Sequence, residues 1–590
     1  MSSTLKKLIG ALLGTKLRNE TASGPGQAST YITDVTATVP MTTVTATIPV
    51  DESEYTSYML SSLWEGMDIA TAKVTTTAIP TPLSKAELIE PSNMPEFHSE
   101  LKLPEDFIWG WAATAPQSEG AVDADNRGPS IWDTACHAVD GFLEGNETLD
   151  IANNHYYLFK QDILGLEALG IPYYSLTISW SRVFPFGNGS VNQEGLQHYI
   201  DVIDYMVAHN VTPIVTLYHW DLPQALQNWY GGFLDERIIE DFAEYARVVF
   251  KALAPNVKIW ITMNEPQIFC NDYMTWPEHV PDEIFPIFNL TSPYERLYRC
   301  GHNALLAHAT AVNIFRTEIE PEFGEGMISF ANSWDFTPPL TGSKNDRLAS
   351  LRQLDFTAGW FGHPIYLGDY PKTMKETLGD LLPELSDEQI ALVNQSADFY
   401  AWDSYTGYPV RAIPYDEEEG GFDECISNMS HSSWPTCVEE VMTVPGGWLV
   451  GSSSDPGTSN WLHNTPDLFR QGVVWSWKQF KPKAYFIPEF GFSVWRESRM
   501  SVAHARYDSE RVSYLSDYLH QMLKLVNVDK VNLVGAIGWT MLDNIEWREG
   551  SAVRFGFQYV EPESLKRRFK KSAFFFRNFF AHHINKSESD

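Results

Sequence analysis

Short runs of apolar and β-branched residues recur along the chain from residue 103 onward, and each run ends in polar side chains. Runs of this kind are typical of parallel strands that are buried on both faces. Between several of them the apolar positions follow helical spacing, as over residues 153–169, 196–208 and 238–254. The pattern therefore predicts strands that alternate with helices. The predicted strands are 107–114, 173–180, 212–219, 258–264, 327–332, 398–403, 483–489 and 536–540.

Eight strand-like runs alternating with helices predict an α/β fold, a single (β/α)8 TIM barrel with long βα loops. In such barrels the active site lies at the carboxyl ends of the strands, where these runs place their polar residues. A doubly wound sheet is the alternative architecture, but no glycine-rich phosphate loop follows an early strand. The barrel is therefore the preferred interpretation.

The sequence divides into an irregular N-terminal extension (1–97), the barrel domain (98–585) and a short tail (586–590). Residues 21–92 are rich in Thr, Ser and Pro with little periodicity, which is typical of a disordered, O-glycosylated or surface-wrapped segment. At the start, Lys6 and Lys7 precede the apolar run 8–14, which resembles either a very short signal segment or an ordinary short helix. Residues 416–460, rich in Gly, Ser and Asp, predict a long loop near the barrel mouth.

Composition narrows the function classes. The 590 residues carry a net charge of -34, so no basic field is available to hold a nucleic-acid backbone. The basic run 566–571 is interpreted as a solvated helix face. No run approaches the roughly 18 apolar residues of a membrane span. The aromatic content of 13% suits sugar stacking, although aromatic residues also fill large cores.

The five cysteines are too few and too scattered for a disulfide scaffold or a CxxC metal site. Cys425 and Cys437 flank a polar loop and could form one bridge, whereas free buried thiols are equally plausible for Cys136, Cys270 and Cys300. Several Asn-X-Ser/Thr sequons favour a secreted, extracellular glycoprotein, with a cytoplasmic protein as the alternative. They include those at Asn19, Asn146, Asn188, Asn289, Asn394 and Asn428.

Two predicted strands end in a carboxylate. The run KIWITMNEP (258–266) delivers Glu265, and AYFIPEF (484–490) delivers Glu489 in the same way. A buried charge costs several kcal/mol or more unless it is paired, so each Glu could simply be bound to a buried Arg. Two carboxylates from separate strands that meet at one barrel mouth are, however, what glycoside cleavage requires.

Several longer motifs carry a family resemblance: FIWGWAATAPQSEGA, RGPSIWDT, ISWSRVFP, LYHWDLPQAL, ITMNEP, WTMLDNIEW and VRFG. In their order and near their spacing, from residue 103 to about 580, they resemble glycoside hydrolase family 1, the β-glucosidase family. The segment EFGF around Glu489 is similar to a filamentous-fungal branch of that family.

The resemblance implies roles for individual residues. Glu265 would be the general acid/base, and Glu489 the nucleophile of a retaining reaction, which requires carboxyl groups about 5–5.5 Å apart. Arg182 would lie near the nucleophile and keep it ionised. Asn264 would donate to the sugar 2-hydroxyl, and Tyr405 would hydrogen-bond the nucleophile.

A second set would hold the non-reducing glycone. Trp539 would be the floor on which the sugar ring stacks, and a carboxylate at position 546 would repel a phosphate, which predicts a free hexose as glycone. Among free hexoses, β-glucose is preferred, with β-galactose and β-fucose left open. The expected hydroxyl-binding residues are Gln117, His219, Trp220, Glu546 and Trp547.

The sequence thus predicts a retaining, exo-acting β-glucosidase that needs no metal and no organic cofactor. Its expected partners are small-molecule or oligosaccharide β-glycosides, with water as the second substrate. The alternatives are a barrel that binds β-glycosides or a partner with weak or no turnover, and an endo-acting glucanase.

Two departures from the family pattern stand close to these residues. PEFG (488–491) stands where the family has a motif closer to TENG, and Pro488 removes a backbone donor at the strand end. Asp403 begins the segment DSY, where the family has Asn-Tyr-Tyr. Its charge is expected to raise the pKa of a neighbouring carboxylate, with lower activity or an acid-shifted optimum as the predicted effect.

Overall fold

The protein is described by a computed structural model that covers residues 33–39, 42–48, 57–71, 83–455 and 459–585. The predicted signal segment, the sequon at Asn19 and the tail 586–590 lie outside the described residues.

Eight parallel strands form a closed barrel, which confirms the predicted fold class. Each strand pairs with its neighbours in chain order, and the last strand closes the ring against the first. All residues of the first, fourth and seventh strands are buried, as expected from their continuous apolar runs. The strands are β1 (Ile108–Ala113), β2 (Tyr173–Thr177), β3 (Thr212–Tyr218), β4 (Ile259–Asn264), β5 (Met327–Ser333), β6 (Tyr400–Asp403), β7 (Tyr485–Phe490) and β8 (Leu533–Trp539).

Long helices follow the strands and confirm the three helical patterns within a few residues. In Arg237–Leu253, for example, Ile238, Phe242, Tyr245 and Val249 recur at helical spacing and are all buried. No helix in the described part of the chain is both long and apolar enough to cross a membrane. The long helices are α1 (His155–Leu169), α2 (Gln193–Ala208), α3 (Arg237–Leu253), α4 (Pro293–Ile314), α5 (Ala358–Leu367), α6 (Pro466–Phe480), α7 (Ser509–Asn527) and α8 (Lys571–His583).

Further helices and short strands lie between these elements. The additional α-helices are Ala115–Ser118, Ile131–Ala138, Trp180–Val183, Gln224–Tyr230, Pro266–Thr275, Glu320–Phe323, Lys344–Phe356, Lys372–Leu378, Asp387–Val393, Phe422–Ser427 and Val502–Arg506. The additional short strands pair as Val410–Ala412 with Val438–Glu440, Thr443–Val444 with Trp448–Leu449, Ser452–Ser453 with His463–Asn464, and Gln558–Val560 with Arg567–Phe569.

The N-terminal extension contains a hairpin of Thr33–Val39 with Thr42–Ile48, followed by the helix Ser57–Ser62. Beyond this helix, the indole N–H of Trp64 donates to the carbonyl of Arg127 in the barrel domain at 2.7 Å. Further along, Phe97 packs against α8 with a ring distance of 5.5 Å to Phe575. The extension therefore contacts the barrel domain at Trp64 and at Phe97.

Two disulfides lie outside the barrel strands. Cys425 and Cys437 are bonded across the predicted loop, and Cys270 and Cys300 join the helix that follows β4 to α4. The alternative of free thiols at Cys270 and Cys300 is therefore wrong, because the two helices bring residues 30 positions apart to a Cα distance of 5.5 Å. Cys136 is a free thiol.

The basic run 566–571 is not a solvated helix face. Residues Arg567–Phe569 form a strand, and the ammonium group of Lys570 is fully buried. It donates at 2.5 Å to Asp543 and also to Glu497. The interpretation failed because a run of like charges shows nothing about the acidic partners that distant segments supply.

Removing the Lys570 ammonium should strongly destabilise the fold. Lys570→Met would leave the buried Asp543 with Arg554 at 3.7 Å as its remaining ion pair, while Glu497 keeps Arg511, at a cost of about 3–5 kcal/mol. The midpoint of thermal unfolding should fall by roughly 5 °C or more. Lys566→Met is the matched control in the same run. Lys566 is half-exposed and forms a long ion pair of 3.8 Å with Glu87, so its loss should change stability little. Equal midpoints for the two variants would contradict this account.

Candidate active site

The carboxyl ends of the strands surround a cavity of about 370 Å³. Because all eight strands are parallel, the residues that end or follow them meet at one mouth. Carboxylates, aromatic rings and one histidine dominate the lining, and no Lys or Arg is among the described lining residues. The lining consists of His219, Trp220, Glu265, Ile268, Ser333, Asp335, Asp403, Tyr405, Ser459, Trp461, Glu489, Trp539, Glu546, Trp547, Glu549 and Phe555.

Glu265 and Glu489 face each other across this cavity. One carboxylate oxygen of each, together with one of Asp403, lies within 4.8 Å of the others. This separation fits retaining glycosidases, whose carboxyl groups are about 5–5.5 Å apart, rather than inverting ones at about 6.5–9.5 Å.

Glu265 follows β4 in a left-handed backbone conformation, with φ of 48°. Its amide N–H donates to the carbonyl of Ala331 in β5 at 3.0 Å, which holds the turn in place. Non-glycine residues in this region are strained and are frequent at functional sites. Burial is the main cause that raises the pKa of Glu265 to about 7. A hydrogen bond with the Ser333 hydroxyl lowers the pKa somewhat, and the charge of the nearby Asp335 raises it.

Glu489 lies near the end of β7 and accepts a hydrogen bond of 2.8 Å from the Tyr405 hydroxyl. Burial raises its pKa well above the usual range, and the charge of Glu265 adds to this effect. Tyr405 opposes the shift by stabilising the carboxylate. The amide of Asn264 lies close enough to lower the pKa as well, although its nitrogen makes no hydrogen bond within ordinary distance and angle limits.

The proline before Glu489 coincides with an irregularity in the strand. The register between β7 and β8 shifts between Ile487 and Phe490. Pro488 has no N–H to offer the ladder, so the regular pairing is interrupted where that donor is missing. The strand end thus tolerates the proline that departs from the family pattern.

Arg182 does not support Glu489, and the expectation that it would is wrong. Its guanidinium binds Glu119 at 3.1 and 3.2 Å and lies 4.0 Å over the ring of Tyr156. It lies in the short helix Trp180–Val183 beyond the end of β2, fully buried and outside the cavity lining. The sequence could not show this, because the direction of its side chain depends on the distant partner Glu119.

The expected aromatic residues assemble into one stacked wall. His219 is parallel to Trp539 and Trp547, at ring distances of 6.1 and 5.8 Å, and Trp220 stacks on Trp547 at 4.4 Å. The indole N–H of Trp220 donates to the carbonyl of Asn264. Burial lowers the pKa of His219 to about 3, so the ring is neutral at ordinary pH and can serve as donor or acceptor to a sugar hydroxyl.

Two other expected binding residues differ in their surroundings. Gln117 is completely buried, with its amide group bonded to Thr114 and to the carbonyl of Ile545, and it is not part of the cavity lining. Glu546 does line the cavity, and burial, reinforced by Glu549, raises its pKa to about 8. Its carboxyl group is therefore mostly protonated at pH 7.

Several lining residues were missed by the sequence interpretation. Asp335 lies two residues beyond β5, so the rule that polar residues at strand ends form the site could have found it. Trp461 comes from the irregular loop after residue 459, where no periodic pattern marks a position. The missed lining residues are Ile268, Ser333, Asp335, Ser459, Trp461, Glu549 and Phe555.

Asp403 ends β6 and completes a cluster of three buried carboxylates with Glu265 and Glu489. Their oxygens are close enough together to hold a metal ion. Among the described residues, no other group of three or more His, Cys, Asp or Glu side chains has this spacing. Burial and the two neighbouring carboxylates raise the pKa of Asp403 well above its usual value. The acid-shifted optimum does not follow, because a carboxylate with a raised pKa needs a higher pH to ionise.

Comparison with known proteins assigns the chain to a family. The sequence profile of "Glycosyl hydrolase family 1" matches residues 99–585. Beta-glucosidase 1B of Phanerodontia chrysosporium is 36% identical over 82% of this chain and 87% of its own length. Raucaffricine-O-beta-D-glucosidase of Rauvolfia serpentina is 36% identical over 83% and 93%.

Solved structures agree with this assignment. A family 1 β-glucosidase from the fungus Humicola insolens in complex with glucose has a TM-score of 0.76 and 36% identity, covering 83% of this chain and 100% of that one. β-Glucosidase 2 from Trichoderma reesei in complex with Tris has a TM-score of 0.74 and 36% identity, covering 82% and 100%. With the barrel, the paired carboxylates and these relatives in agreement, the chain belongs to glycosyl hydrolase family 1 and is a glycoside hydrolase.

Proposed function

We propose that this protein is a retaining, exo-acting β-glucosidase that removes terminal non-reducing β-D-glucosyl residues. The observation that carries the proposal is the pair Glu265 and Glu489, whose carboxylate oxygens lie within 4.8 Å at the mouth of a closed barrel. Relatives and structural neighbours named as β-glucosidases support the substrate class.

In the first step, Glu489 attacks the anomeric carbon, and the bond to the leaving oxygen breaks. Glu265 gives its proton to that oxygen, which leaves a covalent glycosyl-enzyme on Glu489. In the second step, Glu265 takes a proton from water, which attacks the same carbon and releases Glu489. Two inversions at one carbon retain its configuration.

The environments of the two groups suit these opposite tasks. The raised pKa of about 7 keeps Glu265 protonated below neutrality, as a general acid must be. The hydroxyl of Tyr405 donates to Glu489 and favours its ionised form, as a nucleophile requires. The two carboxyl groups together hold one proton in the working enzyme.

The cavity favours a neutral sugar. Six acidic residues line it, and none of the described lining residues is a Lys or Arg that could bind a phosphate. The stacked wall of His219, Trp220, Trp539 and Trp547 offers ring faces and polar edges to a hexose. We therefore propose a free glucose unit as glycone, with β-galactosides and β-fucosides as further candidates.

We also propose that the protein is secreted. Two disulfides in one chain are typical of an oxidising compartment. Of the sequons named above that the structure describes, four have exposed asparagines, whereas Asn188 is partly buried and donates to Asp241. The exposed ones are Asn146, Asn289, Asn394 and Asn428.

Substitution of the two carboxylates tests their roles. Glu489→Gln should lower kcat/KM on an aryl β-glucoside by roughly a thousandfold or more, because an amide cannot act as nucleophile.

Glu265→Ala should lower cellobiose hydrolysis by roughly 10²–10⁴-fold but spare activated aryl glucosides, which need little protonation. Equal losses on both substrates would reject Glu265 as the acid. If the wild type hydrolyses no glucoside, galactoside or fucoside, a β-glycoside-binding protein would be favoured instead.

The pH dependence tests the link between Tyr405 and Glu489. Tyr405→Phe removes a donor to the carboxylate, so the pKa of Glu489 should rise, and the acid limb of kcat/KM should move up by about one pH unit. Tyr518→Phe is the matched control, because the Tyr518 hydroxyl shares the Tyr405 carbonyl with Tyr514. An unmoved acid limb in Tyr405→Phe would show that this hydrogen bond does not set the ionisation of Glu489.

Mass spectrometry of protein collected from the medium of its native host tests secretion. Non-reducing peptide maps should show Cys270 linked to Cys300 and Cys425 linked to Cys437, with glycan on at least one exposed sequon. Cys136 should be the thiol that alkylates after unfolding without a reductant. Five reactive thiols in unglycosylated protein that is retained in the cells would instead support a cytoplasmic location.

A further inference from the structure

We propose that Asp403 works as a neutral carboxylic acid whose O–H group faces Glu489, and that it thereby positions the nucleophile. The inference rests on the proposed role of Glu489. It assigns to Asp403 a positioning role that depends on its proton, rather than a charge of its own.

The backbone holds Asp403 against Glu489. β6 and β7 are adjacent strands of the barrel, and the amide N–H of Ser404 donates to the carbonyl of Glu489 at 3.1 Å. On its other side, Asp403 is in register with Ser333 at the end of β5. The side chain therefore has little freedom to turn away from the two carboxylates that lie within 4.8 Å.

An ionised Asp403 has nothing to stabilise it. The residue is 2% exposed, and neither of its carboxylate oxygens has a hydrogen-bond partner among the described residues. A buried, unpaired carboxylate costs several kcal/mol or more, and two neighbouring carboxylates add repulsion. A proton on Asp403 removes the buried charge and its repulsion with the two neighbouring carboxylates.

The groups that face this cluster supply no positive charge. Tyr405 is neutral and donates to Glu489, and His219 is kept neutral by burial. The cation expected nearby, Arg182, is bound to Glu119 instead. The other titratable residues of the described lining are acids: Asp335, Glu546 and Glu549.

The neutral form of Asp403 also explains how the chain departs from the family pattern without losing its site. A protonated carboxyl group is close in shape to the asparagine amide of that pattern, and both carry a donor without net charge. Asp403 and Glu489 then carry one negative charge between them, as in other paired carboxylates. The shifted pKa of Asp403 agrees with this geometry.

Two substitutions separate a neutral from a charged role. Asp403→Asn mimics the protonated acid, so its kcat/KM should match that of the wild type at pH 7 and exceed it at higher pH, where Asp403 begins to ionise and the amide cannot. Asp403→Ala removes the donor and should lower kcat by tenfold or more while KM changes little. If Asp403→Asn falls as far as Asp403→Ala, the charge is required, and if neither variant differs from the wild type, Asp403 positions nothing. Either result overturns the proposal.

Infrared difference spectroscopy decides the protonation state without any turnover. The wild-type minus Asp403→Asn spectrum at pH 7 should contain the carbonyl band of a protonated carboxylic acid. A carboxylate band at this position would overturn the proposal. So would a change in wild-type kcat/KM after EDTA treatment, because a bound cation would then replace the proton.

The two proposals fail in different ways. If the wild type turns over no glycoside, the proposed function is wrong, but the infrared band still reports on Asp403. If Glu489→Gln is inactive and the infrared band is absent, the function stands and only the role of Asp403 is lost.

Discussion

The electrostatic constraint on this protein is the confinement of three carboxylates at one barrel mouth, where no described lining residue is a Lys or Arg. Glu265, Asp403 and Glu489 all have raised pKa values, chiefly because burial disfavours the charged form of each. Like charges at this distance cannot all ionise, so the cluster retains protons near neutrality. A hydrolase of this class needs one carboxyl group with a proton and one without, and confinement creates that difference.

The barrel is what makes such confinement possible. Eight parallel strands bring residues that are far apart in the chain to one edge, and their buried faces keep water from screening the charges there. Hydrogen bonds from neighbouring residues then determine which carboxyl group ionises. Tyr405 donates to Glu489, and the hydroxyls of Tyr514 and Tyr518 hold the Tyr405 carbonyl in place. These contacts favour the charge on Glu489 rather than on Glu265.

In another buried region of the fold, the carboxylates are paired with cations. Lys570 and Arg511 are paired with Glu497, Asp508 and Asp543, so each buried carboxylate in that network has a cation. Such pairing keeps each carboxylate ionised, so a general acid could not hold its proton there. The same residue types therefore support the fold in one region and chemistry in another, according to whether a cation is present.

The sequence alone determined the barrel, the eight strands and the positions of Glu265 and Glu489, because strand periodicity and the residue at a strand end are local properties. It also revealed Asp403 as an unusual residue. Only the tertiary structure decided that Arg182 binds Glu119, that Lys570 is buried and that Trp461 reaches the cavity. The direction of a side chain and the ionisation of a carboxyl group depend on partners from distant parts of the chain, and no local pattern contains them.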